Sequence, residues 1–257
     1  MKIVRYRDAS TREARYGIVE GDTVHAATGD PFAGLTRGDA VGPVTAVSLL
    51  APVVPGKIVC VGLNYAAHVT ENDPTREVPE EPVLFMKPPS AVIGPGAAVE
   101  IAHPGNRTDY EAELAVVIGK RGRDVEERDA LDYVLGFCAG NDVSDRVLQR
   151  KDGQWVRAKG FDTYCPLGPW IETDADVSAA KVESRLNGRV KQSQTTASMI
   201  FPVPFLIAYI SRVMTLEPGD VIMTGTPEGV GPMQPGDTIE IEIGGVGVLS
   251  NPVRARA

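Results

Sequence analysis

The segment Asp109–Ile118 reads Asp-Tyr-Glu-Ala-Glu-Leu-Ala-Val-Val-Ile, bounded by Gly105 and Gly119. It is rich in β-formers and predicts one strand. Side chains two apart on a strand share a face, so Glu111 and Glu113 sit side by side with Cα atoms roughly 7 Å apart. Carboxylates that close repel unless positive charge lies between them. Asp142 follows in Gly-Asn-Asp-Val-Ser-Asp-Arg, after the apolar run Val134–Ala139. Three carboxylates from two strands make a hard, oxygen-rich site suited to Mg²⁺ or Mn²⁺. Spacing alone also allows a charged outer face on an edge strand.

His68 and Glu71 are three apart in a short helical piece, Tyr65–Glu71, and can touch. A carboxylate orients imidazole and raises its basicity, which suits a general base acting on water. Arg146 and Gln149 follow Asp142 by four and seven residues and share a face of a helix starting near Ser144. Thr224-Gly225-Thr226, with Gly229 and Gly231, forms a glycine-rich loop without the Lys-Ser/Thr ending of a nucleotide-binding P-loop. His25 and His103 read as surface or structural residues. Trp155 and Trp170 read as packing.

The elements that must position these groups are mostly strands. Residues 1–50 form a small β module with strands at Ile3–Tyr6, Ala14–Val19 and Thr23–Ala26. A linker, Ala51–Gly56, leads into the main domain, residues 55–257, which opens on a strand at Ile58–Leu63. Asn72–Pro82 is rich in proline and charge and predicts a mobile loop beside the site. Further strands fall at Val83–Met86 and Ala97–Ile101. A helix capped by Asp124 spans Val125–Val134, and the longest helix is Pro204–Met214. Asn187-Gly188 is a hairpin turn. The pattern predicts an α+β, predominantly β fold with antiparallel or mixed sheet.

The chain has 257 residues, 43% hydrophobic and 23% charged, with net charge −8. That acidity disfavours nucleic acid and anionic membranes as partners, and an anionic substrate needs a local basic pocket. Cys60, Cys138 and Cys165 are odd in number and far apart, giving neither a disulfide framework nor a zinc pattern and fitting a reducing, cytoplasmic setting. No signal-peptide core opens the chain, and the apolar run Phe201–Ile210 is too short for a bilayer.

Five motifs, in order from about residue 55 to the C-terminus, resemble the fumarylacetoacetate hydrolase family. They are Gly62–Glu71, the Glu-x-Glu at 111–113, Asn141-Asp142-x-Ser144-x-Arg146-x-x-Gln149, Ala158–Asp162 and Thr224–Gly231. The resemblance implies a mixed β-sandwich roll with flanking helices and a homodimer. It implies Glu111, Glu113 and Asp142 as the ligands of Mg²⁺ or Mn²⁺, and His68 with Glu71 as the base. Arg146, Gln149 and Lys159 would face the substrate, with Thr226 bonded to its carboxylate. Asp109, Asp145 and Asp162 fall outside the matching ligand positions.

The implied substrate is a small 2-oxo or 2-hydroxy-dienoic di- or tricarboxylic acid reacting through a metal-bound enolate. Ala158–Pro169 looks most similar to 2-hydroxyhepta-2,4-diene-1,7-dioate isomerases and 5-oxopent-3-ene-1,2,5-tricarboxylate decarboxylases of aromatic-acid catabolism. Acylpyruvate or fumarylpyruvate hydrolysis and oxaloacetate decarboxylation use the same enolate and are the alternatives. A catalytically silent binding protein on the same scaffold is the non-enzymatic one. The small N-terminal module departs from the long N-terminal domain of the hydrolase that names the family, which argues against fumarylacetoacetate itself as substrate.

Overall fold

The computed structural model describes residues 1–71 and 73–256. Asn72, the first residue of the predicted loop, lies outside the described residues. Four N-terminal strands, β1 (Lys2–Arg7), β2 (Ala14–Glu20), β3 (Thr23–Asp30) and β4 (Gly34–Pro43), form a meander. The sequence reading missed β4. Its glycines, proline and nearly continuous exposure remove the apolar alternation by which a strand is recognised.

The meander is not a separate sheet. β1 pairs antiparallel with Cys165–Glu172, Lys2 opposite Glu172. The ladder then continues through Val134–Asn141, Ala112–Ile118, Val221–Met223, Ile58–Gly62 and Val83–Lys87 within one 12-stranded sheet. A 5-stranded sheet includes the hairpin Lys181–Leu186 and Arg189–Thr195. Asn187 and Gly188 turn that hairpin with φ of 52° and 73°, the left-handed pair that a type I′ turn demands. A 3-stranded sheet joins Thr108–Tyr110 to Ser144–Asp145 and Gly231–Pro232.

Ala112–Ile118 is buried throughout because apolar clusters cover both its faces. Leu114, Val116 and Ile118 enter one cluster, and Ala115 and Val117 the other. Burying each of the larger side chains stabilises the fold by about 1.5–3 kcal/mol. Glu113 has the parity of Ala115 and Val117, and it is held by this packing without contributing to it.

The helices are short. α1 (Ala66–Thr70), α2 (Arg146–Lys151) and α3 (Val156–Lys159) surround the site, while α4 (Val203–Val213) packs its apolar face on the core. Two expectations are corrected. The single strand Asp109–Ile118 is broken at Glu111 into Thr108–Tyr110 and Ala112–Ile118. The helix predicted over Val125–Val134 is a 3₁₀ segment, Glu127–Tyr133, and Asp124 does not cap it but takes a left-handed φ of 51°. No helix among the described residues is long and apolar enough to cross a membrane.

Candidate active site

The break at Glu111 has a physical cause. Its N–H donates to the Asn141 side-chain carbonyl at 3.0 Å, and its own carbonyl accepts from the Asp142 N–H at 3.0 Å. These bonds replace a strand ladder and pin the backbone of Glu111 to that of Asp142. Glu113, opposite Gly140 in the next strand, completes a buried cluster in which one carboxylate oxygen of Glu111, Glu113 and Asp142 lies within 4.8 Å of the others.

Cations interleave with these acids. Lys159 Nζ lies 2.9 Å from Glu111 and 2.5 Å from Asp142. Lys87, wholly buried, pairs with the other Asp142 oxygen and donates to the Val143 carbonyl. Arg146 reaches Glu111 at 2.5 Å and Asp109 at 2.8 Å, and Arg107 also grips Asp109 at 2.8 Å. The result is a row of alternating charge: Arg107, Asp109, Arg146, Glu111, Lys159, Asp142, Lys87.

Glu113 stands outside that row, and the only hydrogen bond to its carboxylate among the described residues is a 2.8 Å bond from the Gly225 N–H. Burial, then the Asp142 and Glu111 carboxylates, push its carboxyl well above the usual carboxylate range. Burial also opposes ionisation of Glu111, but Lys159 and Arg146 outweigh it and hold that carboxyl far below its ordinary value. Lys159 loses solvation on burial, yet Asp142 and Glu111 raise it and keep it an ammonium. Phe85 and Trp155 close over it, their ring centroids 4.7 and 5.9 Å from Nζ.

The other groups that line the cavity are set by short local devices. Asp145 caps α2, accepting the Val147 and Leu148 N–H groups at 3.0 Å, and is itself held by Asn106 and His103. On the first turn of α2, Arg146 donates to Gln149 at 2.8 Å. On the other side of the cavity, His68 Nδ1 lies 3.1 Å from Glu71, whose second oxygen accepts the Gly229 N–H at 2.8 Å. The glycine-rich loop therefore spends two of its amides on site carboxylates, Glu113 and Glu71. Gly225 has a φ of +93°, and a Cβ there would stand 2.7 Å from that of Asn64. Asn64 in turn bonds Thr224 and Phe201, tying the entry to α1 to the loop. Thr226 accepts a 2.7 Å bond from Gln192.

Of the residues predicted from sequence, all but Glu71 line one cavity of about 40 Å³, and Glu71 stands behind His68. The same cavity adjoins an outer one of about 430 Å³ that shares Leu63, His68, Arg146, Gln149 and Trp155 with it. The sequence reading missed Lys87, Asp109, Asn64 and Gln192; Trp155, read as packing, does pack edge-on against Phe85 and is also a wall of the cavity. Asn64 lay within a quoted motif. Lys87, a lone charge closing an apolar strand, was the one signal available for its role. Three clustered carboxylates, one of them with its ionisation opposed by burial and by the other two, are the donor set that a hard divalent cation requires.

A buried, cation-balanced carboxylate cluster at the end of a mixed β-roll, with an imidazole–carboxylate pair across the cavity, has the make-up of an enzyme active site. The match to known proteins is specific. Residues 57–254 match the fumarylacetoacetate (FAA) hydrolase C-terminal family model, and residues 1–52 match an Rv2993c-like N-terminal model. The chain belongs to the fumarylacetoacetate hydrolase family. The crystal structure of 2-hydroxyhepta-2,4-diene-1,7-dioate isomerase from Mycobacterium marinum is similar at TM-score 0.91 and 40% identity, over 100% of this chain and 99% of that one. Maleylpyruvate hydrolase from Sphingobium sp. SYK-6, solved with manganese(II) and pyruvate, is similar at TM-score 0.82 and 33% identity, over 100% of each chain. The mitochondrial oxaloacetate tautomerase fahd2 of Xenopus laevis is 43% identical over 80% of this chain and 68% of its own.

Proposed function

We propose that this enzyme moves a proton next to the carbonyl of a small 2-oxo or 2-hydroxy-dienoic acid, as an isomerase or tautomerase dependent on Mg²⁺ or Mn²⁺. The observation that carries the reading is the joint lining of one cavity by the three carboxylates, Lys159, Arg146 and His68. Glu111, Glu113 and Asp142 would hold the cation, which supplies Lewis-acid polarisation of the 2-oxo group.

The chain's own groups do the rest. Glu71 accepts from Nδ1 of His68 and leaves Nε2 as the basic nitrogen, which takes the proton from the carbon beside the carbonyl and returns it elsewhere. The Lys159 ammonium donates to the oxygen on which negative charge develops. Arg146, braced by Asp109 and Glu111, binds the carboxylate end in its planar fork, with Gln149 and Thr226 completing the polar lining.

Water taken up at the same base would turn this site to hydrolysis, and loss of a carboxylate would need no base at all. The names of the Mycobacterium marinum isomerase and the Xenopus tautomerase support proton transfer over these two. The test is ultraviolet decay of enol oxaloacetate and of hydroxydienedioates with Mg²⁺, Mn²⁺ or chelator. Faster, chelator-sensitive interconversion is expected. No acceleration of any of them, together with no binding of oxalate, would refute the reading.

A further inference from the structure

We propose that Leu63 is a specificity-determining residue, an apolar wedge at the neck between the two cavities that reads the carbon chain of the substrate just beyond its reacting end. This deepens the reading of the inner site and rests on it.

Leu63 has a φ of 60°. Among the described residues, the other non-glycine positions with a left-handed φ are Arg12, Asp124, Thr163 and Asn187, so Leu63 is the one with a wholly hydrocarbon side chain. The Cβ of an L-residue strains that conformation, and a bulky residue there is an outlier. The turn itself has a backbone cause. Asn64, wholly buried, accepts the Phe201 N–H at 2.8 Å and donates to the Thr224 and Phe201 carbonyls at 2.7 and 3.0 Å. Its own carbonyl accepts the Ile200 N–H at 2.8 Å. The chain must drop from the strand Ile58–Gly62 straight into that socket, and the left-handed step falls on residue 63. Glycine would take the step without strain. Gly62 next door does not relieve it, because its bare Cα makes room for Trp155, whose ring stands 2.9 Å from where a Cβ would lie. What leucine adds at position 63 is its side chain.

That side chain is not spent on the core. Leu63 is half-buried and joins none of the three apolar clusters of the fold. It lines both the inner cavity of about 40 Å³ and the outer one of about 430 Å³. Of the residues common to both, His68, Arg146 and Gln149 are polar, and Leu63 and Trp155 are the apolar pair. The neck therefore offers hydrogen-bonding groups to the oxygens of a 2-oxo acid and hydrocarbon to the carbons that follow them. Burying one CH₂ is worth about fourfold in affinity, so the length of chain beyond the reacting end is read at Leu63. Strained backbone kept at a ligand clamp is the pattern expected when the side chain, and not the fold, requires the residue.

The test compares wild type, Leu63→Gly, Leu63→Ala and Leu63→Met, each with Mg²⁺, by calorimetry. The probes are oxalate, pyruvate and 2-oxohexanoate. Oxalate, which has no chain, should bind alike in all four proteins. Wild type and Leu63→Met should prefer 2-oxohexanoate to pyruvate, and Leu63→Gly and Leu63→Ala should lose about tenfold of that preference, the scale of one leucine's burial. Thermal unfolding separates backbone from side chain. Leu63→Gly should melt above Leu63→Ala by roughly 2–4 °C, the reverse of the usual order, because only the residue without a Cβ sheds the strain. Wild type that binds oxalate but does not prefer 2-oxohexanoate to pyruvate would overturn the wedge alone. So would oxalate weakened in step with 2-oxohexanoate, an undiminished preference in Leu63→Gly and Leu63→Ala, or Leu63→Gly melting below Leu63→Ala. Wild type that binds no oxalate would overturn the inner-site reading, and the wedge with it.

Discussion

Replacing Glu113 by glutamine should stabilise the metal-free protein at alkaline pH and abolish its response to metal. Glu113 faces Asp142 and Glu111 within the 4.8 Å cluster. At an effective dielectric of about 20, two charges at that separation repel by roughly 3.5 kcal/mol, partly cancelled by Lys159 and the Gly225 N–H. Its folded pKa is raised by burial, Asp142 and Glu111, whereas in the unfolded chain it ionises near the ordinary value of about 4.3. The stability this group contributes is therefore fully present below the unfolded pKa and is lost as pH rises through the folded one. Glu111 has the opposite sign. Its lowered pKa gives stability above the ordinary carboxylate value, so it cannot mask a loss on the alkaline side. Glutamine keeps the acceptor for Gly225 and removes the charge. Thermal unfolding without metal at pH 8 should then show the variant melting above wild type, by roughly 2–4 °C per kcal/mol relieved. Adding Mg²⁺ at about 100 times its Kd contributes about 2.7 kcal/mol, so wild type should gain roughly 5–11 °C, and the variant little. A variant with the full metal shift, or one that melts below wild type from pH 5 to 8, would show that the cluster is not built around a cation.

His68→Ala and Glu71→Ala should each lower turnover of an isomerised acid by on the order of 10²-fold or more, while calorimetry shows metal affinity retained. Lys159→Met leaves Glu111 and Asp142 facing each other, and equilibrium unfolding without metal should register a loss of about 3–5 kcal/mol, with Mg²⁺ restoring part of it. Asp145→Ala removes the cap of α2 and should cost about 0.5–2 kcal/mol in denaturant unfolding; because α2 carries Arg146, KM should rise more than kcat falls. Residues 73–82 should gain hydrogen-exchange protection on saturation with oxalate and Mg²⁺, and unchanged protection would exclude closure of that segment over the site.

Local periodicity carried the sequence reading as far as local periodicity can reach. The two-residue period exposed Glu111 and Glu113, the three-residue spacing exposed His68 with Glu71 and Arg146 with Gln149, and motif order tied in Lys159 and Thr226. What was missed lay in contacts between distant segments. Lys87 reaches Asp142 across 55 residues, so its local context shows only a charge at a strand end. Asn141 and the Asp142 N–H, which interrupt the strand at Glu111, come from a neighbouring strand whose register no single segment encodes. Gly34–Pro43 failed for another reason. As an exposed outer strand it has no core face, and pairing with β3 holds it where propensity would not.

The alternating row from Arg107 to Lys87 also restricts how this sequence can drift. Each interior member pairs with two neighbours, so a single replacement there removes two ion pairs at once. Breaking a buried pair typically costs about 3–5 kcal/mol, against a total folding stability of about 5–15 kcal/mol. A lineage therefore cannot cross these positions one substitution at a time, except where a cation or a compensating change arrives first. Leu63, an uncharged residue at the neck of the cavities, carries no such obligation. New specificities should arise there by ordinary single mutations, while the reacting centre is inherited as a block.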